Sequence, residues 1–159
     1  MKYTLLEHKE SNPNTIECKY FMPKEVLIDK IDVLVVSFFG IYPEGTLGRK
    51  HAMYISKKTI SGIIEFNPEA IILDFRELTY NWGNSLLSVF QDIVLFKDGE
   101  NTDDEPSFPI IIAASSKSSD GLVSLLTPST SKESPDFIFK DINLAIKEAV
   151  VRGKFWLDH

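Results

Sequence analysis

Three near-continuous apolar runs, each followed by a helical pattern, constrain the fold of this chain most strongly. The runs are Ile31–Phe39 (IDVLVVSFF), Ala70–Phe75 (AIILDF) and Phe108–Ala114 (FPIIIAA). Strands without polar alternation are typical of a sheet that is covered on both faces. Strands that alternate with helices predict βα units with parallel pairing and right-handed crossovers. The sequence therefore predicts a single α/β domain with a mixed, largely parallel sheet.

Apolar residues at three- and four-residue spacing predict three long helices, at about residues 48–66, 84–96 and 141–152. A short helix is expected to end at Leu126, and Gly153 is expected to end the last helix. Between these two helices, the composition of residues 127–136 predicts a mobile segment, followed by a short strand at 137–139.

The N-terminal segment has a strand-like composition on both sides of a stretch rich in turn formers. Tyr3–His8 and Thr15–Phe21 flank the sequence KESNPN, which predicts an N-terminal hairpin at the edge of the sheet. We divide the domain, residues 1–159, into N-terminal strands (1–27), a core (28–151) and a tail (152–159).

Charge and cysteine content limit the class of function. The chain of 159 residues has a formal net charge of −6, whereas nucleic-acid binders usually carry a basic surface, so we expect no nucleic-acid partner. Cys18 is the single cysteine, which excludes an intramolecular disulfide and favours a reducing, cytoplasmic location. No apolar run is long enough to span a bilayer, so we expect a soluble protein without a membrane partner.

No sequence motif of a common catalytic or cofactor site is present. The patterns GxGxxG, GxxxxGK[ST], HExxH and GxSxG do not occur, and His8, His51 and His159 lack the spacing of metal ligands. We therefore predict no catalytic residues, no cofactor and no metal. The carboxyl end of the central strand, near Asp74 and Arg76, is where ligands bind in many α/β sheets. A small-ligand or enzymatic site there is an alternative hypothesis.

Two features are candidates for binding a protein partner. Tyr80 and Trp82 lie in a predicted loop after the central strand, and aromatic residues are enriched at interface hot spots. Trp82 is either such an anchor or a lid over the sheet edge. Between residues 97 and 106 lies an acidic loop, which is either a solvated connection or a negative patch for a basic partner. Its candidate partner-binding residues are Asp98, Glu100, Asp103, Asp104 and Glu105.

Several strings resemble the STAS domain, the family of bacterial anti-sigma-factor antagonists and transporter tails. The resemblance spans about residues 28–151 and implies the STAS fold. It is carried by VLVV with FGI (33–41), AIILDFRELTY (70–80), PIIIA (109–113), LVSLL (122–126) and FIFKDINLA (137–145).

The functional signature of that family departs from its pattern here. The family has an Asp-Ser-Ser-Gly stretch at the start of the helix after the central strand, and a kinase phosphorylates its first serine. Trp82 stands at the aspartate position and Gly83 at the serine position. We therefore expect no phosphoswitch, although Ser85 lies two residues further along. The use of the scaffold to bind another protein is unaffected by this loss.

Three classes of function follow from these observations. Our first expectation is a non-catalytic protein that neutralises a basic partner, such as an immunity protein for a bacterial nuclease toxin, because small acidic domains without catalytic motifs often have this role. The first alternative is a STAS-like regulator of a sigma-factor or kinase pathway without the usual phosphoswitch. The second alternative is a small-ligand binder or enzyme at the strand ends.

Overall fold

The computed structural model describes residues 1–25, 30–128 and 135–159. These residues form five strands and four α-helices, and two 3-10 turns, Gly45–Gly48 and Asn84–Leu86, precede the first two helices. In chain order the elements are β1 (Ile16–Phe21), β2 (Val33–Ile41), α1 (Arg49–Phe66), β3 (Ala70–Thr79), α2 (Leu87–Asp98), β4 (Ile110–Ala113), α3 (Ser119–Leu126), β5 (Ile138–Phe139) and α4 (Ile142–Leu157).

The strands form one sheet in the order β1-β2-β3-β4-β5. Strands β2 to β5 pair in parallel, with Val33 beside Ala70 and Ile71 beside Ile110, whereas β1 pairs with β2 in the antiparallel direction. The predicted mixed, largely parallel sheet is thereby confirmed.

Helices cover the sheet on both faces. Leu34 and Phe38 of β2 belong to the larger core, which also includes residues of α1, α2 and α3. Val33 and Val35 point to the opposite face, where Ala145 and Ala149 of α4 pack against them. Because neither side of the central strands meets water, their sequences lack the polar alternation of a half-exposed strand.

The predicted N-terminal hairpin does not form. Only its second half is a strand, β1, and Tyr3–His8 has no regular structure. The segment before β1 is drawn towards α1, because Lys57 Nζ donates to Glu10 Oε2 at 3.3 Å and to Asn12 Oδ1 at 2.7 Å. The antiparallel edge of the sheet is therefore a single strand.

Gly153 does not end the last helix, which continues to Leu157. A Cβ atom at Gly153 would lie 2.9 Å from Ile31 Cγ2, so the glycine permits close packing of α4 on the sheet rather than a chain reversal. The predicted tail is therefore mostly helical, and its Trp156 ring packs edge-on against Phe108 at 5.3 Å.

Two predictions fall partly outside the described residues. Most of the segment predicted to be mobile, residues 129–134, is among them, as is the boundary at residues 27–28 between the N-terminal strands and the core. The short strand predicted at 137–139 is present as β5.

Candidate functional site

Two loops meet at the carboxyl end of the parallel strands β2 and β3. One loop, residues 42–48, leads from β2 to α1, and the other, residues 80–86, leads from β3 to α2. Their 3-10 turns contact each other, and Gly45 N donates a hydrogen bond to Trp82 O at 3.3 Å. This pair of loops brings together residues that lie nearly 40 positions apart in the sequence.

Trp82 projects from the second loop with 59% of its surface exposed. Its indole nitrogen donates to Glu44 Oε2 at 2.8 Å, and the neighbouring Asn81 Nδ2 donates to Glu44 Oε1 at 3.1 Å. The ring lies close to Gly45, where a Cβ atom would come within 3.0 Å of Trp82 Cη2. The exposed ring is therefore held in one orientation before any partner arrives, which lowers the entropic cost of binding.

Two exposed leucines lie on the same pair of loops as the tryptophan or directly after them. Leu47 lies in the first 3-10 turn and is 77% exposed, and Leu87 follows the second turn and is 38% exposed. We call Leu47, Trp82 and Leu87 the loop-end patch. Exposed tryptophan is enriched at the centres of protein interfaces.

Tyr80 is not available to a partner, in contrast to our prediction from the sequence. Its side chain is only 2% exposed, and its hydroxyl donates to Gly83 O at 2.9 Å. The ring packs edge-on against Tyr42 at 5.2 Å. Burial raises the Tyr80 pKa to about 12, so the hydroxyl stays protonated and braces the loop that carries Trp82.

Gly83, at the position of the family's switch serine, has a backbone that disfavours any side chain. Its φ angle is +143°, and a Cβ atom there would lie 3.2 Å from Gly45 O. The glycine therefore permits the two loops to approach each other. A serine at this position would strain the backbone and would require Gly45 to shift by a few tenths of an ångström.

Replacing Gly83 by either alanine or serine should lower the free energy of unfolding by about 1–2 kcal/mol, because both add a Cβ atom in a backbone region suited to glycine. Urea denaturation of the two variants measures the loss. Asn84→Ala, at an exposed neighbouring position, is the control and should behave like the parent. Full stability of Gly83→Ser would show that the loop can accommodate a switch residue after all.

The acidic loop lies at the other end of the sheet from Trp82. Trp82 follows the carboxyl end of β3, whereas residues 99–107 lead into the amino end of β4, which runs parallel to β3. Strand β3 has ten residues, so the two ends are separated by roughly 30 Å. The acidic loop and Trp82 therefore lie at opposite ends of the sheet and do not form one compact patch.

The residues of the acidic loop also have different roles. Asp98 is the last residue of α2, and its two carboxylate oxygens each accept a hydrogen bond from Phe108 N at 3.1 Å. Glu105 Oε1 accepts a hydrogen bond from Thr102 Oγ1 at 3.3 Å. These two carboxylates stabilise the connection itself. Glu100, Asp103 and Asp104 are exposed, and their carboxylates contribute no hydrogen bond to the connection among those found in the described residues.

Asp74 is inside a strand rather than at its end, because β3 continues to Thr79. It receives two hydrogen bonds from the Arg76 guanidinium, at 2.8 and 3.0 Å, and one from Ser37 Oγ at 2.7 Å. Burial opposes its ionisation, but these hydrogen bonds outweigh burial and hold the Asp74 pKa below its ordinary value. The groove beside it, of about 350 Å³, opens on the α4 face, away from buried Tyr80. Asp74 is thus paired internally.

His51, near the start of α1, is buried next to Tyr42, with ring centroids 5.9 Å apart. Its Nε2 lies 2.6 Å from Thr15 Oγ1, which ties the chain before β1 to the helix. Burial lowers the His51 pKa below its ordinary value of 6.5. The folded protein therefore disfavours the protonated imidazole.

Stability should fall as the pH falls below about 6.5, because the unfolded chain then binds a proton at His51 that the folded chain resists. Titration of this one group changes the free energy of unfolding by at most about 1.4 kcal/mol per pH unit. Urea denaturation at pH 7.5 and pH 5.5, compared with His51→Gln, isolates this contribution. If the free energy of unfolding changes by the same amount between pH 7.5 and pH 5.5 in both proteins, His51 is not the cause of the loss.

Sequence reasoning missed Glu44, Gly45 and Leu47, which complete the loop-end patch and its support. Gly45 adopts a φ of +64°, and its glycine was the only local signal. Nothing in the sequence around Glu44 indicates its role, because its hydrogen-bond partners come from the other loop.

The described residues contain neither a group of metal ligands nor a membrane-spanning helix. Within residues 1–25, 30–128 and 135–159, no group of three or more His, Cys, Asp or Glu side chains is arranged to hold a metal ion. In the same ranges, no helix combines the length and the apolar character needed to cross a membrane.

No protein-family model matches this sequence, and no curated protein matches it. One solved structure resembles the fold with a probability of 1.00: the crystal structure of an anti-sigma factor antagonist from Mycobacterium paratuberculosis. The TM-score is 0.52 at 15% sequence identity, and the match covers 88% of this chain and 98% of that chain. At this identity the likeness concerns the fold alone. The chain therefore shares a STAS-like fold with an anti-sigma factor antagonist.

Proposed function

We propose that this chain is a non-catalytic regulator that binds a protein of a sigma-factor or kinase pathway through the loop-end patch, without a phosphoswitch. The observation that carries the proposal is Trp82, which is 59% exposed yet held by Glu44 at the end of β3. The fold shared with an anti-sigma factor antagonist supports the same class of partner. With glycine at position 83, this residue cannot be phosphorylated, so the proposed binding does not depend on a switch at this position.

The immunity-protein hypothesis has weaker support than the regulator. It rests on the net charge of −6 and on the acidic loop, and this loop lies at the opposite end of the sheet from the exposed tryptophan. None of the similarities found points to a toxin or its inhibitor. A small-ligand site at Asp74 is also less supported, since the carboxylate is already paired with Arg76.

Affinity capture from cells of the source organism, with the parent chain and Trp82→Ala as matched baits, tests the proposal. We expect the parent to retain a kinase or another regulator of transcription, and the variant to lose it. Glu100→Gln, at the other end of the sheet, is the control and should retain the same protein. If Trp82→Ala retains the same partner as the parent, the loop-end patch is not the binding surface. A nuclease toxin in the parent eluate would favour the immunity hypothesis instead.

A further inference from the structure

The first nine residues carry exposed apolar side chains that no other part of the described structure covers. Tyr3, Leu5 and Leu6 are 83%, 93% and 75% exposed, respectively. The same residues belong to the segment whose composition favours a strand. We call residues 3–9 the N-terminal arm.

The same protein has an open sheet edge. Strand β1 is the outermost strand on its side of the sheet, and within the described ranges no other strand lies beyond it. Its alternate residues Glu17, Lys19 and Phe21 are exposed on the face away from α1. An uncovered edge of this kind accepts an added strand, because its outer backbone groups have no partner in the sheet.

The charges of the arm and the edge complement each other in one antiparallel register. This register places Lys9 opposite Glu17, Glu7 opposite Lys19, and Leu5 opposite Phe21. On the other face, Leu6 lies opposite Tyr20, so that apolar side chains also meet. Cross-strand pairs of opposite charge and of apolar side chains both stabilise a sheet.

Neighbouring registers are disfavoured. A shift of two residues in one direction places Glu7 opposite Glu17, and a shift of two in the other places Lys9 opposite Lys19. Like charges directly opposite each other destabilise a pair of strands. A shift of one residue exchanges the two faces of the arm and separates the charged pairs.

The tether at Lys57 directs the arm away from the edge of its own chain. Lys57 holds Glu10 and Asn12 on α1, so the chain leaves β1 along this helix rather than turning back beside the strand. We propose that the arm of one copy adds as an antiparallel strand to β1 of a second copy, and that the exchange is mutual. One arm and one edge per copy close a twofold dimer.

Charge reversal on the full-length chain tests the exchange. One variant reverses the arm (Glu7→Lys with Lys9→Glu), and another reverses the edge (Glu17→Lys with Lys19→Glu). The dimer dissociation constant of each variant alone should be at least about tenfold higher than that of the parent, because both charged pairs between arm and edge become repulsive. An equal mixture of the two should recover a heterodimer, since each arm then meets an edge of opposite charge. Sedimentation equilibrium measures all four samples.

The control reverses two exposed charges away from the β1 edge, Glu100→Lys before β4 and Lys140→Glu after β5, and should leave the dimer intact. All substituted positions are exposed, so urea denaturation should show unchanged folding of each variant. A monomeric parent at sub-millimolar concentration overturns the proposal. The proposal is also overturned if the reversed variants dimerise like the parent, or if their mixture forms no heterodimer. Hydrogen-exchange protection of residues 5–9 in a monomer would instead show a hairpin within one chain.

Discussion

Replacing Trp82 by alanine should weaken binding of the captured protein partner by about thirtyfold, because an aromatic anchor at an interface centre contributes about 2 kcal/mol or more. The loss should appear as faster dissociation, since the contact forms only in the docked complex. Surface plasmon resonance with the purified partner measures both rate constants. Trp82→Ala should leave the stability of the free chain nearly unchanged, because the ring is mostly exposed.

Glu44→Gln provides a finer test of the same site. Glutamine keeps an oxygen that can accept from the indole nitrogen but removes the charge, so the ring should stay in place. We expect a loss of affinity several times smaller than that of Trp82→Ala. Neutralising Glu100, Asp103 and Asp104 together should leave dissociation unchanged, because these residues lie at the other end of the sheet. If the acidic loop rather than Trp82 controls dissociation, the interface is at the amino end of the strands.

Replacing Asp74 by alanine should lower the free energy of unfolding by about 3 kcal/mol, because it leaves Arg76 without its bidentate partner and Ser37 without an acceptor. The Arg76 side chain is 36% exposed, so water compensates part of the loss and the larger values known for fully buried pairs do not apply. Urea denaturation at neutral pH measures the effect.

A double variant and an exposed pair serve as controls for Asp74. Asp74→Leu combined with Arg76→Leu should recover most of the stability, since no unpaired charge is left on the sheet. Glu77→Ala, which removes the exposed bridge to Lys117 at 3.1 Å, should cost less than about 1 kcal/mol. If Asp74→Ala is as stable as Glu77→Ala, the pair is not structural, and a ligand role for Asp74 regains support.

Asp74 also has a consequence for acid stability. Its pKa is depressed in the folded chain, so the pairing stabilises the fold above the ordinary carboxyl range and is lost as the pH falls through the folded pKa. This window lies below that of His51, whose effect begins at about pH 6.5. The two effects therefore begin at different pH values.

The sequence alone was sufficient to predict the sheet and its helices. The runs beginning at Ile31, Ala70 and Phe108 contain strands because their side chains are apolar on both faces, which is a local property of the sequence. An aspartate directly before a helical pattern is a common N-cap, and the Asp141 carboxylate indeed accepts from Asn143 N at 2.7 Å. The sequence itself also shows that position 83 is glycine rather than serine.

The tertiary structure alone decided which predicted site residues are accessible. Tyr80 and Trp82 lie two positions apart, yet Tyr42 covers the first, whereas Glu44 holds the second at the surface. The predicted hairpin is absent, and the segment before β1 contacts α1 instead, where Lys57 Nζ donates to Asn12 Oδ1. Periodicity in a sequence reports which side of an element is apolar, but exposure in loops depends on contacts between residues nearly 40 positions or more apart, which no local pattern encodes.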